Sequence, residues 1–83
     1  MEKYLLFIID ECSFCTKAVL LLEKHFIIYK TVDVTDDLNT RVQIKEAFGW
    51  NTFPIILKQD KNTFNLIGGY TDLEKYVGAY DTK

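Results

Sequence analysis

Apolar side chains run unbroken from Tyr4 to Ile9. A short run of this kind predicts a first strand over residues 3–9, apolar on both faces as a central parallel strand is. Asp10 and Glu11 break it as a loop. Ala18, Leu21 and Leu22 then recur at helical spacing, with Val19 widening the stripe, and predict a helix over 13–26. Residues 27–34 alternate and are β-branched, which predicts a second strand. Thr35-Asp36-Asp37 offers caps for a second helix over 38–48, ended by Gly49. Val42, Ile44, Ala47 and Phe48 are its expected buried side. Pro54 opens a third strand over 55–57, where the first residue tolerates a missing donor. Residues 59–62 read as a hairpin turn, 63–67 as a fourth strand, and Gly68-Gly69 as its end. Thr71-Asp72-Leu73-Glu74 has the form of a capping box with Thr71 at the cap. It predicts a last helix running to about Tyr80.

The expected order is β-α-β-α-β-β-α. The helix-linked strands suggest parallel pairing through crossovers for the first three. The last two, joined by a short turn, must be antiparallel. The fold class is therefore α/β, with a four-stranded mixed sheet flanked on both faces by three helices.

Composition narrows the picture further. At 83 residues the chain is expected to form one domain, 1–83. A core of that size buries only about 60–65 % of the unfolded surface. A net charge of −2 leaves no nucleic-acid footprint. No apolar run reaches membrane-spanning length. The N-terminal apolar run is too short for a signal-peptide core, so a cytoplasmic monomer is the expectation.

The only two cysteines, Cys12 and Cys15, fall between the first strand and the first helix. Free amides at a helix start and the helix dipole stabilise a negative charge there. A thiolate is such a charge, so the position makes a nucleophile of the first cysteine. The second, one turn on, can reach it to form a disulfide. Two other readings stay open at this level. Half of a zinc site would need four ligands, and only His25 offers a third of the usual soft type. Two core cysteines can also fall at this spacing by chance.

Three separated motifs resemble those of the glutaredoxins, small proteins of thioredoxin-like fold. Cys12-Ser13-Phe14-Cys15 is similar to Cys-Pro-Tyr-Cys and Cys-Ser-Tyr-Cys. Thr52-Phe53-Pro54 is similar to Thr-Val-Pro, whose proline follows a cis bond. Gly68-Gly69-Tyr70-Thr71-Asp72 is similar to Gly-Gly-x-x-Asp. The resemblance implies a glutathione-dependent disulfide oxidoreductase acting on disulfide-bearing or glutathionylated proteins, with glutathione as co-substrate and no metal. It implies that Cys12 attacks and Cys15 resolves. It implies a glutathione site made by Arg41, Thr52, Phe53, Pro54, Gly69, Thr71 and Asp72. There the Phe53 backbone would pair with the tripeptide, and the last helix would receive its γ-glutamyl end. Arg41 would take the glycyl carboxylate.

The sequence also departs from the family pattern. Relatives commonly carry a lysine three residues before the first cysteine, and here that place is Ile9. Asp10 and Glu11 stand next to Cys12 instead, and like charge disfavours a thiolate. Two further functions of other classes therefore stay in view. One is an iron-sulfur cluster carrier. The other is a dedicated dithiol donor to a reductase that does not use glutathione.

Overall fold

The computed structural model describes residues 3–81, and side chains as far as residue 78. The elements are β1 (Lys3–Ile8), α1 (Ser13–Lys24), β2 (Tyr29–Asp33), α2 (Leu38–Phe48), β3 (Ile55–Asp60), β4 (Thr63–Gly68) and α3 (Tyr70–Asp81). The expected order of elements holds. The strands form one sheet in the order β2-β1-β3-β4. β1 and β2 are parallel, with Leu6 opposite Thr31. β3 runs antiparallel to β1, with Leu6 opposite Ile56. This corrects the expectation of three parallel strands. A helical linker permits either direction, and here the chain returns to the end of β1 before β3 begins.

Period-two alternation sorts the strand residues between two cores. Tyr4, Leu6 and Ile56 face one side and pack with Ala18 and Leu22 of α1 and Leu73 and Val77 of α3. Phe7, Ile55 and Leu57 face the other, with Val34. That second core is closed by Ile44 and Phe48 of α2 together with Trp50 and Phe53. Val42 and Ala47 do not take part, because both are exposed. At 3.6 residues per turn Val42 stands about 200° round the helix from Ile44, so one stripe cannot hold both. Full burial of a side chain such as Leu22 stabilises the fold by about 2 kcal/mol.

The element ends follow local chemistry. The Asp37 carboxylate accepts from the Thr40 amide at 3.1 Å and from its hydroxyl at 2.7 Å, capping α2. Gly49, at φ 63°, ends that helix in the left-handed region that glycine tolerates. α1 stops at Lys24, earlier than the expected Phe26, and Phe26 itself takes φ 56°. β3 runs on through Gln59 and Asp60 of the expected 59–62 turn, while β4 begins at Thr63 as expected, leaving only Lys61 and Asn62 between them. The capping box is displaced by two residues. The Gly69 carbonyl accepts from the Leu73 amide at 3.0 Å, which places the cap at Gly69. Thr71 thus lies inside the helix, and it is Asp72 that reaches back to the Gly69 amide, at 3.0 Å.

Candidate active site

Cys12 is the N-cap of α1, in extended conformation, and its sulfur accepts from the Cys15 amide at 3.1 Å. Glu11 takes φ 54°, a left-handed turn that carries the chain from the strand loop into the helix. Cys12 and Cys15 form a disulfide, with their Cα atoms 5.2 Å apart. Their surroundings differ. Cys12 is partly exposed, whereas Cys15 is 4 % exposed and sealed within the helix packing. An incoming thiolate can therefore reach the Cys12 sulfur but not that of Cys15. His25 caps the far end of the twelve-residue α1, about 18 Å along the axis from the cysteines. The arrangement of a third zinc ligand beside Cys12 is thus not realised by His25. Among the described residues, no three histidine, cysteine or acidic side chains gather as a metal would need.

On one flank of Cys12 the loop before β3 meets the start of α3. The Phe53–Pro54 bond is cis, and the Phe53 carbonyl oxygen lies 3.7 Å from the Cys12 sulfur. Thr52, Phe53 and Pro54 line a groove of about 270 Å³ together with Gly69, Thr71 and Asp72. Six of the seven residues expected to hold glutathione thus share one groove. Gly68 sets its shape, because at φ 124° a Cβ there would lie 2.5 Å from the Asp72 Oδ2. Any side chain at this position would push Asp72 aside.

Arg41 stands apart from the groove lining. Its guanidinium donates to the Thr35 carbonyl at 3.2 Å and lies 5.6 Å from the centre of the Phe53 ring. Lys45 lies over the same ring at 5.3 Å, a position the sequence reading did not single out. Its spacing of four from Arg41 on one helix is the signal that would have found it. Phe14 and Tyr70 make the outer rim, with ring centres 6.0 Å apart and the Lys17 ammonium over both. The Tyr70 hydroxyl donates to Glu74 at 3.2 Å. Partial desolvation, with the Glu74 charge and this bond, pushes its pKa above the ordinary tyrosine value. Trp50 forms part of the groove wall, and its buried indole N–H has no hydrogen-bond partner among the described residues.

The opposite flank is chemically different. Ile8, Ile9, Val19 and Leu20 floor an open groove of about 610 Å³ that also reaches Cys12. Asp10, Glu11 and Asp33 stand around it. The Thr35 hydroxyl and amide both donate to Asp33 and hold its carboxyl below the usual carboxylate range.

The glutaredoxin family model matches residues 4–61, which covers both cysteines and the Thr52-Phe53-Pro54 loop but stops before Gly68. Glutaredoxin 1 from Francisella tularensis, solved in complex with cacodylate, is similar over 100 % of both chains, at TM-score 0.79 and 20 % identity. The solution structure of a glutaredoxin from Brucella melitensis is similar over 96 % of this chain and 85 % of that one, at TM-score 0.67 and 18 % identity. At those identities the two structures speak for the thioredoxin-like fold alone. No curated protein matches the sequence. With the family model spanning most of the chain and an active-site dithiol at the head of α1, this protein belongs to the glutaredoxin family and is a thiol-disulfide oxidoreductase.

Proposed function

We propose that the enzyme is glutathione-dependent, reducing protein disulfides and removing glutathione from mixed disulfides. The observation that carries the reading is the position of the Cys12 sulfur. It is reachable from solvent, receives a helix amide at 3.1 Å, and lies 3.7 Å from the Phe53 carbonyl at the mouth of the smaller groove. The amide and the helix dipole favour the thiolate, which is the nucleophile.

In the one-cysteine route the Cys12 thiolate attacks the glutathione sulfur of a mixed disulfide. The new Cys12–glutathione bond forms as the old bond breaks, and the protein thiolate leaves and takes a proton. A second glutathione thiolate then attacks that glutathione sulfur, releasing oxidised glutathione and the Cys12 thiolate. In the two-cysteine route Cys12 attacks a protein disulfide and Cys15 displaces it. The product is the Cys12–Cys15 disulfide, which two glutathione molecules reduce. Exchange rates follow thiolate fraction and nucleophilicity at each of these steps.

The groove fits the tripeptide's chemistry. The Phe53 backbone offers strand-like pairing. The free amides at the start of α3 suit a carboxylate, and the Asp72 carboxylate suits an ammonium. Lys45 and Arg41, stacked on Phe53, suit the second carboxylate, with Thr52, Gly69 and Thr71 completing the contact surface. A reducing compartment such as the cytoplasm suits a dithiol that must be re-reduced.

The reading is tested by turnover of a glutathionylated peptide coupled to glutathione reductase. Rapid turnover, lost in Cys12→Ser and kept in Cys15→Ser, is the expected result. The Cys15→Ser variant should lose only the reduction of intramolecular protein disulfides. Absence of turnover while the dithiol still cycles with a non-glutathione reductase would replace this reading with that of a dedicated dithiol donor. The specific observation behind that second reading is the pair of carboxylates, Asp10 and Glu11, beside Cys12, together with Ile9 in the place where relatives carry a lysine.

A further inference from the structure

We infer that the larger, acidic groove on the far side of Cys12 docks the polypeptide next to the target cysteine, and that it fits segments carrying Lys or Arg beside an apolar side chain. This rests on the thiol-exchange reading of Cys12 and names the class of protein substrate.

Three observations converge. The first is placement. The groove opens at the carboxyl ends of the parallel strands β1 and β2, where Ile8 is paired with Asp33. In α/β sheets this end is where ligands gather. Cys12 forms its inner wall, so a chain lying there can present a sulfur to the one reachable cysteine sulfur. The second is shape and polarity. The floor is aliphatic, and Leu20, on the outer turn of α1, is 58 % exposed although it sits among Ile8, Ile9 and Val19. A volume of about 610 Å³ holds several side chains of an extended peptide.

The third is charge. Asp10 and Glu11 are exposed, and neither carboxylate makes a hydrogen bond or ion pair among the described residues. Asp33 is held ionised by Thr35. The cations near Cys12 are drawn to the other flank, Lys17 onto Phe14 and Tyr70 and Lys45 onto Phe53. Arg41 stands at the boundary, bound to the Thr35 carbonyl and Phe53. An apolar floor beneath three unneutralised carboxylates complements a basic, partly apolar segment. It repels an acidic one, and complementarity of this kind sets partner choice more than raw affinity.

The test uses matched glutathionylated peptides whose cysteine is flanked by Lys-Leu or by Glu-Leu. At low salt the wild-type protein should turn over the lysine peptide about fivefold to tenfold more efficiently, since each exposed ion pair is worth a factor of about two to five. Half-molar salt should shrink the ratio. In the double variant Asp10→Asn with Glu11→Gln the ratio should fall to about two, with Asp33 the one carboxylate left in the groove. The ratio cancels any change in Cys12 reactivity, because both peptides meet the same thiolate. A wild-type ratio near one, or a ratio unchanged in the double variant, overturns the inference. If neither peptide is turned over, the glutathione reading fails, and docking is read separately. Serine analogues of the two peptides are then added to the disulfide form. Amide shifts at Ile8 and Leu20 with the lysine peptide alone support the docking groove, and their absence overturns it.

Discussion

The two flanks of Cys12 are built from different parts of the chain and to different chemistry. On one side a cis-proline loop and a helix start form a narrow, aromatic groove, with cations stacked on its rings. On the other the carboxyl ends of two parallel strands form a wider aliphatic groove edged by acids. A single reachable sulfur lies between them. The smaller groove is suited to one small zwitterion with two carboxylates. The larger is suited to whatever polypeptide brings the disulfide. On the proposed function, one fold keeps a fixed reductant site on one flank and leaves choice of protein target to the other.

The comparison can be broken from either side. The largest effect is expected from charge reversal on the aromatic flank. Arg41→Glu with Lys45→Glu should raise KM for glutathionylated peptides about tenfold or more, since two side chains proposed to attract a carboxylate become repulsive. It should leave the lysine-over-glutamate peptide ratio unchanged; steady-state kinetics on both peptides checks this. Gly68→Ala comes next. Its Cβ would meet Asp72 at 2.5 Å in a left-handed backbone, so a loss of about 1–3 kcal/mol in stability is expected with a raised KM. Thermal denaturation and the coupled assay measure the two together.

A smaller effect is expected from Asp10→Asn with Glu11→Gln on Cys12 itself. Removing like charge should increase the thiolate fraction at neutral pH, seen as faster alkylation by iodoacetamide in the Cys15→Ser background. No change would mean that the acids lie too far from the sulfur to matter. The smallest effect is on acid stability. Thr35 lowers the pKa of Asp33, and Thr40 that of Asp37. A group whose folded pKa is depressed stabilises the fold above its unfolded pKa and loses that stabilisation as pH falls through the folded value. Both carboxyls are fully exposed, so Tm should decline only slightly below the ordinary aspartate range. In Asp37→Asn that decline should be shallower.

Much of this was legible in the sequence because local rules carried it. The Cys-x-x-Cys between strand and helix, the α2 bounds with Asp37 and Gly49 at its ends, and the order of all seven elements follow from pattern and capping. Strand direction did not, because alternation is blind to it and a helical linker fits either sense. The buried face of α2 differs from the expected one because a short helix lying alone on one face of the sheet needs only Ile44 and Phe48, with Trp50 and Phe53 filling the rest. The cap of α3 lies two residues earlier than expected because the Asp72 carboxylate, in the first turn, reaches back to the Gly69 amide and fixes the helix start there. Pocket geometry was the least legible. The gathering of Thr52, Phe53, Pro54, Gly69, Thr71 and Asp72 needed the resemblance to a family. The aliphatic groove beside Asp33 needed the fold, since Asp33 is more than twenty residues from Cys12.

The most direct test of the two-flank account is to trap Cys15→Ser as its mixed disulfide with glutathione and compare amide spectra with the reduced variant. The account predicts shifts at Thr52, Phe53, Thr71 and Asp72, with Ile8, Val19 and Leu20 undisturbed. Shifts concentrated on Ile8, Val19, Leu20 and Asp33 would place glutathione in the acidic groove and contradict the division of labour between the flanks.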